Sequence, residues 1–174
     1  MEKTKSKVMS ESSVSEALRK VCSTEFGVFN SSFLCQSIGT VNPPTPICVA
    51  PSTTLLEVVQ ILKTNKIGCV LVTDGAGILK GIFTERDCLL KVVGSAMNLA
   101  TTLVEEVMTK DPIAEPPDTT IAFVLNLMSQ GGFRHIPIVD GDRKPVAIVS
   151  VKDVLDHMVG SFVDSLLAFE LPEV

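Results

Sequence analysis

Tryptophan and tyrosine are absent from this 174-residue chain, and aromatic residues make up only 5% of it against 45% apolar residues overall. The core must therefore be built from Val, Ile, Leu and Met. Positive charge is also short: 15 Lys and Arg face 20 Asp and Glu, for a net charge of -5. That balance argues against a nucleic-acid surface, which needs a basic stripe, and leaves room only for local positive patches. No apolar run approaches the roughly 18 residues of a membrane span. Met1 to Ser15 is rich in Lys and Ser with no apolar stretch behind it, so it does not read as a secretory signal. The Asn30-Ser31-Ser32 sequon is then a chance match. A cytoplasmic location is expected.

Metal and catalytic signatures are missing too. Cys22, Cys35, Cys48, Cys69 and Cys88 form no C-x-x-C pair, and only His135 and His157 stand beside them. No zinc constellation follows from that spacing. Free buried thiols in a reducing compartment are expected. There is no nucleophile–His pair and no G-x-x-x-x-G-K-[ST] loop, so the expectation is a protein without catalytic residues, metal or required cofactor.

What the chain does have is an internal repeat. Thr45–Leu90 and Asp111–Asp156 align without a gap at an offset of 66 residues, so that Pro46 matches Pro112, Pro51 matches Pro117, and Asp87 matches Asp153. Two such units in a short chain bury their apolar faces against each other. The predicted division is a polar segment with a short helix (1–33), a first repeat (34–98), a second repeat (99–160) and a helical extension (161–174).

Each repeat reads as strand, helix, strand, strand, helix, an α/β (α+β) pattern. In the first, a strand at Ile47–Val49 precedes a helix from Thr53 or Thr54 to about Thr64. Thr54 and Glu57 have the spacing of a capping box. A hairpin then pairs Cys69–Thr73 with Leu79–Phe83 around Asp74–Gly77, and a closing helix begins near Glu85. The second repeat predicts a strand near Ile113, a helix from Thr119 to about Ser129, a hairpin turning at Asp140–Asp142 and a helix from Val151. That helix keeps its apolar spacing almost to Phe169, long enough to require a covering surface, either the helix predicted at Ser13–Ser23 or a second chain. A homodimer is expected.

Two stretches at equivalent points carry the chemistry: Gly81-Ile82-Phe83-Thr84-Glu85-Arg86-Asp87 and Ala147-Ile148-Val149-Ser150-Val151-Lys152-Asp153. Each ends a strand with a hydroxyl and places an Asp one helical turn later. A hydroxyl at a helix N-terminus can share a phosphate with the backbone, and the Asp can accept from the vicinal diol of a ribose. Gly81 or Ala147 would leave room for a ligand against the strand. The same spacing also serves as an N-capping box that needs no ligand.

Together with the lead-in Val104–Pro112 and the stretch Gly132–Asp140, these motifs resemble a tandem pair of cystathionine beta-synthase (CBS) domains, the Bateman module, over about residues 34–160. The resemblance implies two repeats packed pseudo-twofold around a central cleft that takes an adenosine-containing ligand: AMP, ADP, ATP, S-adenosylmethionine or a dinucleotide. It implies crossed sites. One would combine Thr45, Ile47 and Ala50 with Arg134, His135, Ser150 and Asp153, with Lys152 adjoining. The other would combine Asp111 and Ile113 with Gly68, Cys69, Thr84, Arg86 and Asp87. Arg134, able to pair bidentately with a phosphate, favours the first site for an anion. His135 reads either as a ligand contact, a titrating sensor or a structural histidine of a buried strand. The implied function is a stand-alone regulatory, energy-sensing module that acts on an effector protein. A ligand-free dimerisation scaffold is the competing reading.

Overall fold

The computed structural model describes residues 31–167. The helix predicted at Ser13–Ser23 and the end of the C-terminal extension lie outside them. Among the described residues the chain forms six α-helices and six strands in two sheets, the mixed α/β class that the repeat pattern predicts. Its residues divide into two compact units. One takes the described residues up to Pro43, Pro117–Arg134 and those from Val149; the other takes Pro44–Pro116 and His135–Ile148.

The second of these units holds a four-stranded sheet. Strand β1 (Cys48–Val49) runs parallel to β2 (Cys69–Thr73). β2 pairs antiparallel with β3 (Leu79–Thr84), and β3 with β4 (Thr109–Lys110). Val70 and Val72 of β2, with Phe83 of β3, face helix α2 (Leu55–Asn65) and pack with Val49, Leu55, Val58, Leu62, Val104 and Val107. The alternate residues Cys69 and Leu71 pack on the opposite face with Leu79, Ile82 and Val139. Both faces of β2 are covered, which is why its sequence is a continuous apolar run rather than an alternating one. A register shift at Val72/Thr73 puts Leu79 and Ile82 on the same side.

Local chemistry sets the boundaries. Thr54 Oγ1 accepts from the Glu57 amide at 3.3 Å, and Glu57 accepts from the Thr54 amide and hydroxyl at 2.9 and 2.8 Å. This is the capping box expected at the start of α2, and the Thr54 bonds hold the Glu57 carboxyl below its ordinary pKa. Both hairpin turns use one device: Asp74 Oδ1 accepts from the amides of Ala76 and Ile78, and Asp140 Oδ1 from those of Asp142 and Lys144. The second hairpin joins β5 (His135–Val139) to β6 (Pro145–Ser150).

In the other unit α1 (Ser31–Cys35) and a 3-10 turn (Ile38–Val41) pack with two longer helices. These are α5 (Ile121–Gly131) and α6 (Val151–Leu167). Remaining helical pieces are α3 (Glu85–Asp87), which continues into a π-turn over Cys88–Val92, and α4 (Val104–Val107).

Two expectations need correction. No strand forms at Ile113, which is about half exposed (48%); only a single parallel bridge, Glu115–Ile138, marks the position. The reason is Pro137, which stands where Leu71 stands in the first repeat. The Leu71 amide donates to the Ile47 carbonyl at 3.0 Å, and proline has no N–H to do the same. Strand β4 arises instead from the lead-in at Thr109–Lys110. Its repeat counterparts are Pro43 and Pro44, which can only accept: the Ile148 amide donates to the Pro44 carbonyl at 3.1 Å and no ladder follows. The thiols, finally, are not uniformly free and buried. Cys69 is buried, Cys88 half-buried and Cys48 exposed, none of these three in a disulfide, whereas Cys35 is disulfide-bonded.

Candidate ligand-binding motifs

Strand β3 delivers Thr84 to the start of α3, and β6 delivers Ser150 to the start of α6. Thr84 Oγ1 donates to Asp87 Oδ2 at 2.7 Å, the Thr84 amide donates to the same oxygen at 3.0 Å, and the Asp87 amide returns to Thr84 Oγ1 at 3.1 Å. Ser150 and Asp153 make the same three bonds at 2.6, 2.7 and 3.2 Å. Both motifs are therefore working capping boxes. Each is also pinned to the residue that leads into the first strand of its hairpin: the Glu85 amide donates to the Gly68 carbonyl at 3.0 Å, and the Val151 amide to the Arg134 carbonyl at 3.1 Å.

The two carboxylates differ at their second oxygen. Asp87 Oδ1 forms an ion pair with Lys91 Nζ at 2.7 Å and accepts a long bond from Thr109 Oγ1 at 3.5 Å. Lys91 also donates to the Val107 carbonyl at 2.7 Å, and the Asp87 side chain keeps only 14% of its exposure. Asp153 Oδ1 has no hydrogen-bond partner among the described residues. Its helix neighbour Lys152 is committed to Asp156, one turn on, and that bond raises the Lys152 pKa.

The expected room beside Gly81 is taken. A Cβ built on Gly81 would stand 2.3 Å from Met108 Sδ and 2.9 Å from its Cγ, so the thioether fills the slot. At the repeat counterpart Ala147 is buried.

His135 lies against Gly68: a Cβ on Gly68 would lie 2.9 Å from His135 Nε2, with Glu85 Oε2 at 3.8 Å. Cys69, the neighbour of Gly68, is a core residue. Asp111 is exposed with φ at 43°, its amide donating to the Lys80 carbonyl at 3.0 Å. Arg86 is exposed on α3. Of the residues expected with Ser150, Thr45 and Ala50 are exposed, while Ile47 packs against the core around α2. They belong, with His135, to the unit that holds the four-stranded sheet; Arg134, which is exposed, belongs with Ser150, Lys152 and Asp153 to the other. Lys91, Thr109 and Met108 went unassigned in the sequence. Only Lys91 carried a legible signal, the i,i+4 spacing from Asp87.

Among the described residues no group of three His, Cys, Asp or Glu side chains could hold a metal ion, and no helix is long and apolar enough to cross a membrane.

The geometry has clear relatives. The CBS domain family model matches residues 38–94 and 104–160. The CBS domain-containing protein CBSCBSPB5 of Arabidopsis thaliana is 39% identical over 109 residues, 63% of this chain and 20% of that protein; this chain thus spans about a fifth of that relative's length. The crystal structure of the CBS-domain containing protein ATU1752 from Agrobacterium tumefaciens is similar at 29% identity and a TM-score of 0.64, over 70% of this chain and 98% of that one. The CBS domain pair of MJ0100, solved with 5'-methylthioadenosine and S-adenosyl-L-methionine, is similar at 25% identity and a TM-score of 0.63, over 72% and 98% of the two chains. With both repeats matched in order, the chain belongs to the CBS domain family and carries a tandem CBS pair.

Proposed function

We propose that this CBS pair is a non-catalytic regulatory module that binds an adenosine-containing ligand at the Ser150–Asp153 motif. The observation that carries this reading is the state of Asp153. Its cap with Ser150 fixes the carboxylate, so one oxygen is locked and the other remains available. A vicinal diol can donate to such a group without reorganising it. Arg134, which stands just before β5 and whose carbonyl pins this motif, is the cation for a phosphate arm, since Lys152 is held by Asp156. One cation rather than several favours AMP or ADP over ATP. The adenosyl ligands of MJ0100 support the nucleoside class and keep S-adenosylmethionine as the alternative within it. Binding would bias two arrangements of the module and pass the signal to an effector protein.

Calorimetric titration with AMP, ADP, ATP and S-adenosylmethionine tests this. At least one should bind saturably, and Asp153→Ala should weaken it by about 10- to 100-fold, the loss of a charged hydrogen bond of about 1.5–3 kcal/mol. Binding by none of the four to a folded protein would leave the motif as a helix cap only.

A homodimer belongs to the same reading. Leu89 and Val93 are 64% and 65% exposed, and their repeat counterparts Leu155 and Val159 are 50% and 51% exposed. Leu90 beside them reaches 73%. Large apolar side chains left open at matching positions of both closing helices suit a self-complementary contact between two copies. Leu90→Asp combined with Leu155→Asp should convert a dimer to a monomer in light scattering. A wild-type monomer at micromolar concentration would rule the contact out.

A further inference from the structure

We propose that Lys91 is an internal substitute for ligand at the Thr84–Asp87 motif, closing it, so that the pair takes ligand at the Ser150–Asp153 motif alone. The ligand half of this proposal rests on the function proposed above; the closure itself does not.

Both oxygens of Asp87 are spoken for. Oδ2 is held by Thr84, and Oδ1 by Lys91 at 2.7 Å with Thr109 at 3.5 Å. Lys91 is held in turn by the Val107 carbonyl at 2.7 Å. The same lead-in sends Met108 into the space over Gly81. A ribose reaching Asp87 would have to replace an ion pair with bonds from uncharged hydroxyls and displace the thioether as well. The second repeat has none of these devices. At the position of Lys91 stands His157, whose ring stacks on Phe33 at 5.5 Å and bonds Gln36 Oε1 at 3.1 Å. At the position of Thr109 stands Pro43, without a hydroxyl, and at that of Met108 stands Asn42. The asymmetry is thus written into three residues rather than into the motifs themselves, which cap their helices identically.

Lys91→Met removes the charge and keeps the apolar stem, so it should open the motif. In titrations with AMP and with S-adenosylmethionine, the wild type should bind one equivalent per chain. Lys91→Met should bind two, the added one disappearing in Lys91→Met with Asp87→Asn, and Lys91→Arg should still bind one. Two equivalents in the wild type, or one in a folded Lys91→Met, would overturn the proposal. If neither ligand binds any variant, the ligand half fails for AMP and S-adenosylmethionine, and the closure is judged by urea unfolding. Lys91→Met and Asp87→Asn should then be non-additive, the double variant losing less than the two single variants together; strict additivity would show that Lys91 does not hold Asp87.

Discussion

Phe83→Ala is expected to destabilise the protein by about 3–5 kcal/mol, a large part of the roughly 5–15 kcal/mol that holds a domain of this kind together. Phe83 is fully buried on β3 and is the largest fully buried side chain among the described residues. It meets α2 and the strands beside it, in a cluster whose other members are mostly Val and Leu. In a chain without Trp or Tyr nothing nearby is large enough to relax into the void. Urea unfolding should show a lower midpoint with an unchanged slope, while Phe83→Leu should cost about 1 kcal/mol. A loss below about 1 kcal/mol for the alanine variant would mean that the cluster repacks. The repeat counterpart of Phe83 is Val149, also fully buried; its truncation removes fewer atoms and should cost correspondingly less.

Gly81→Val should be the next most damaging, by about 1–3 kcal/mol. Gly81 is paired on both sides, with Val72 of β2 and Lys110 of β4, so the backbone cannot retreat from a new side chain. The first added carbon already lies 2.3 Å from Met108 Sδ, and the branch of valine denies the thioether its easiest escape. Combining Gly81→Val with Met108→Ala should restore much of the loss, a coupling readable in thermal unfolding. If Met108→Ala brings no recovery, the strain lies in the strand pairing and not in the slot. Ligand affinity at Asp153 should be the same in both folded variants.

The local devices of this fold could be read in advance. The Thr54–Glu57 cap, both Asp-centred hairpins and the start of α6 are produced by a few neighbouring residues, and their patterns are visible at short range. Pairing between distant segments was not visible in the same way. The repeat led to matching strands at Ile47 and Ile113, yet one proline, Pro137, removes the donor that the second ladder needs. Conversely Thr109–Lys110 becomes a strand because it has the amides that Pro43 and Pro44 lack. The motifs themselves were legible as hydroxyl–Asp pairs, and both readings of them, cap and ligand contact, started from the same two residues. What separates Asp87 from Asp153 is the second carboxylate oxygen, decided by Lys91 and by a lead-in twenty residues further along. Gly81 pointed to open space, but a glycine shows only that something approaches closely. Here it is a methionine of the same chain. The closeness of the His135 ring to Gly68, where a side chain would collide with it, was not legible, because the two lie far apart in the chain.

The start of α2 is completed by a distant stretch of chain: the Leu55 and Leu56 amides donate to the carbonyls of Thr102 and Leu99 at 2.9 Å each, and Thr54 bridges to Leu103. The start of α5 mirrors this, its Ile121 amide donating to the Gln36 carbonyl at 2.9 Å, with Thr120 bridged to Ser37. During synthesis the first of these helices therefore leaves the ribosome tens of residues ahead of the segment that satisfies it, while the second finds its acceptor already waiting. Translation from the N-terminus thus treats the two repeats unequally. In the earlier repeat those amides are left to water until Leu99–Thr102 has been made, so chain order and not packing alone sets when that helix start is completed.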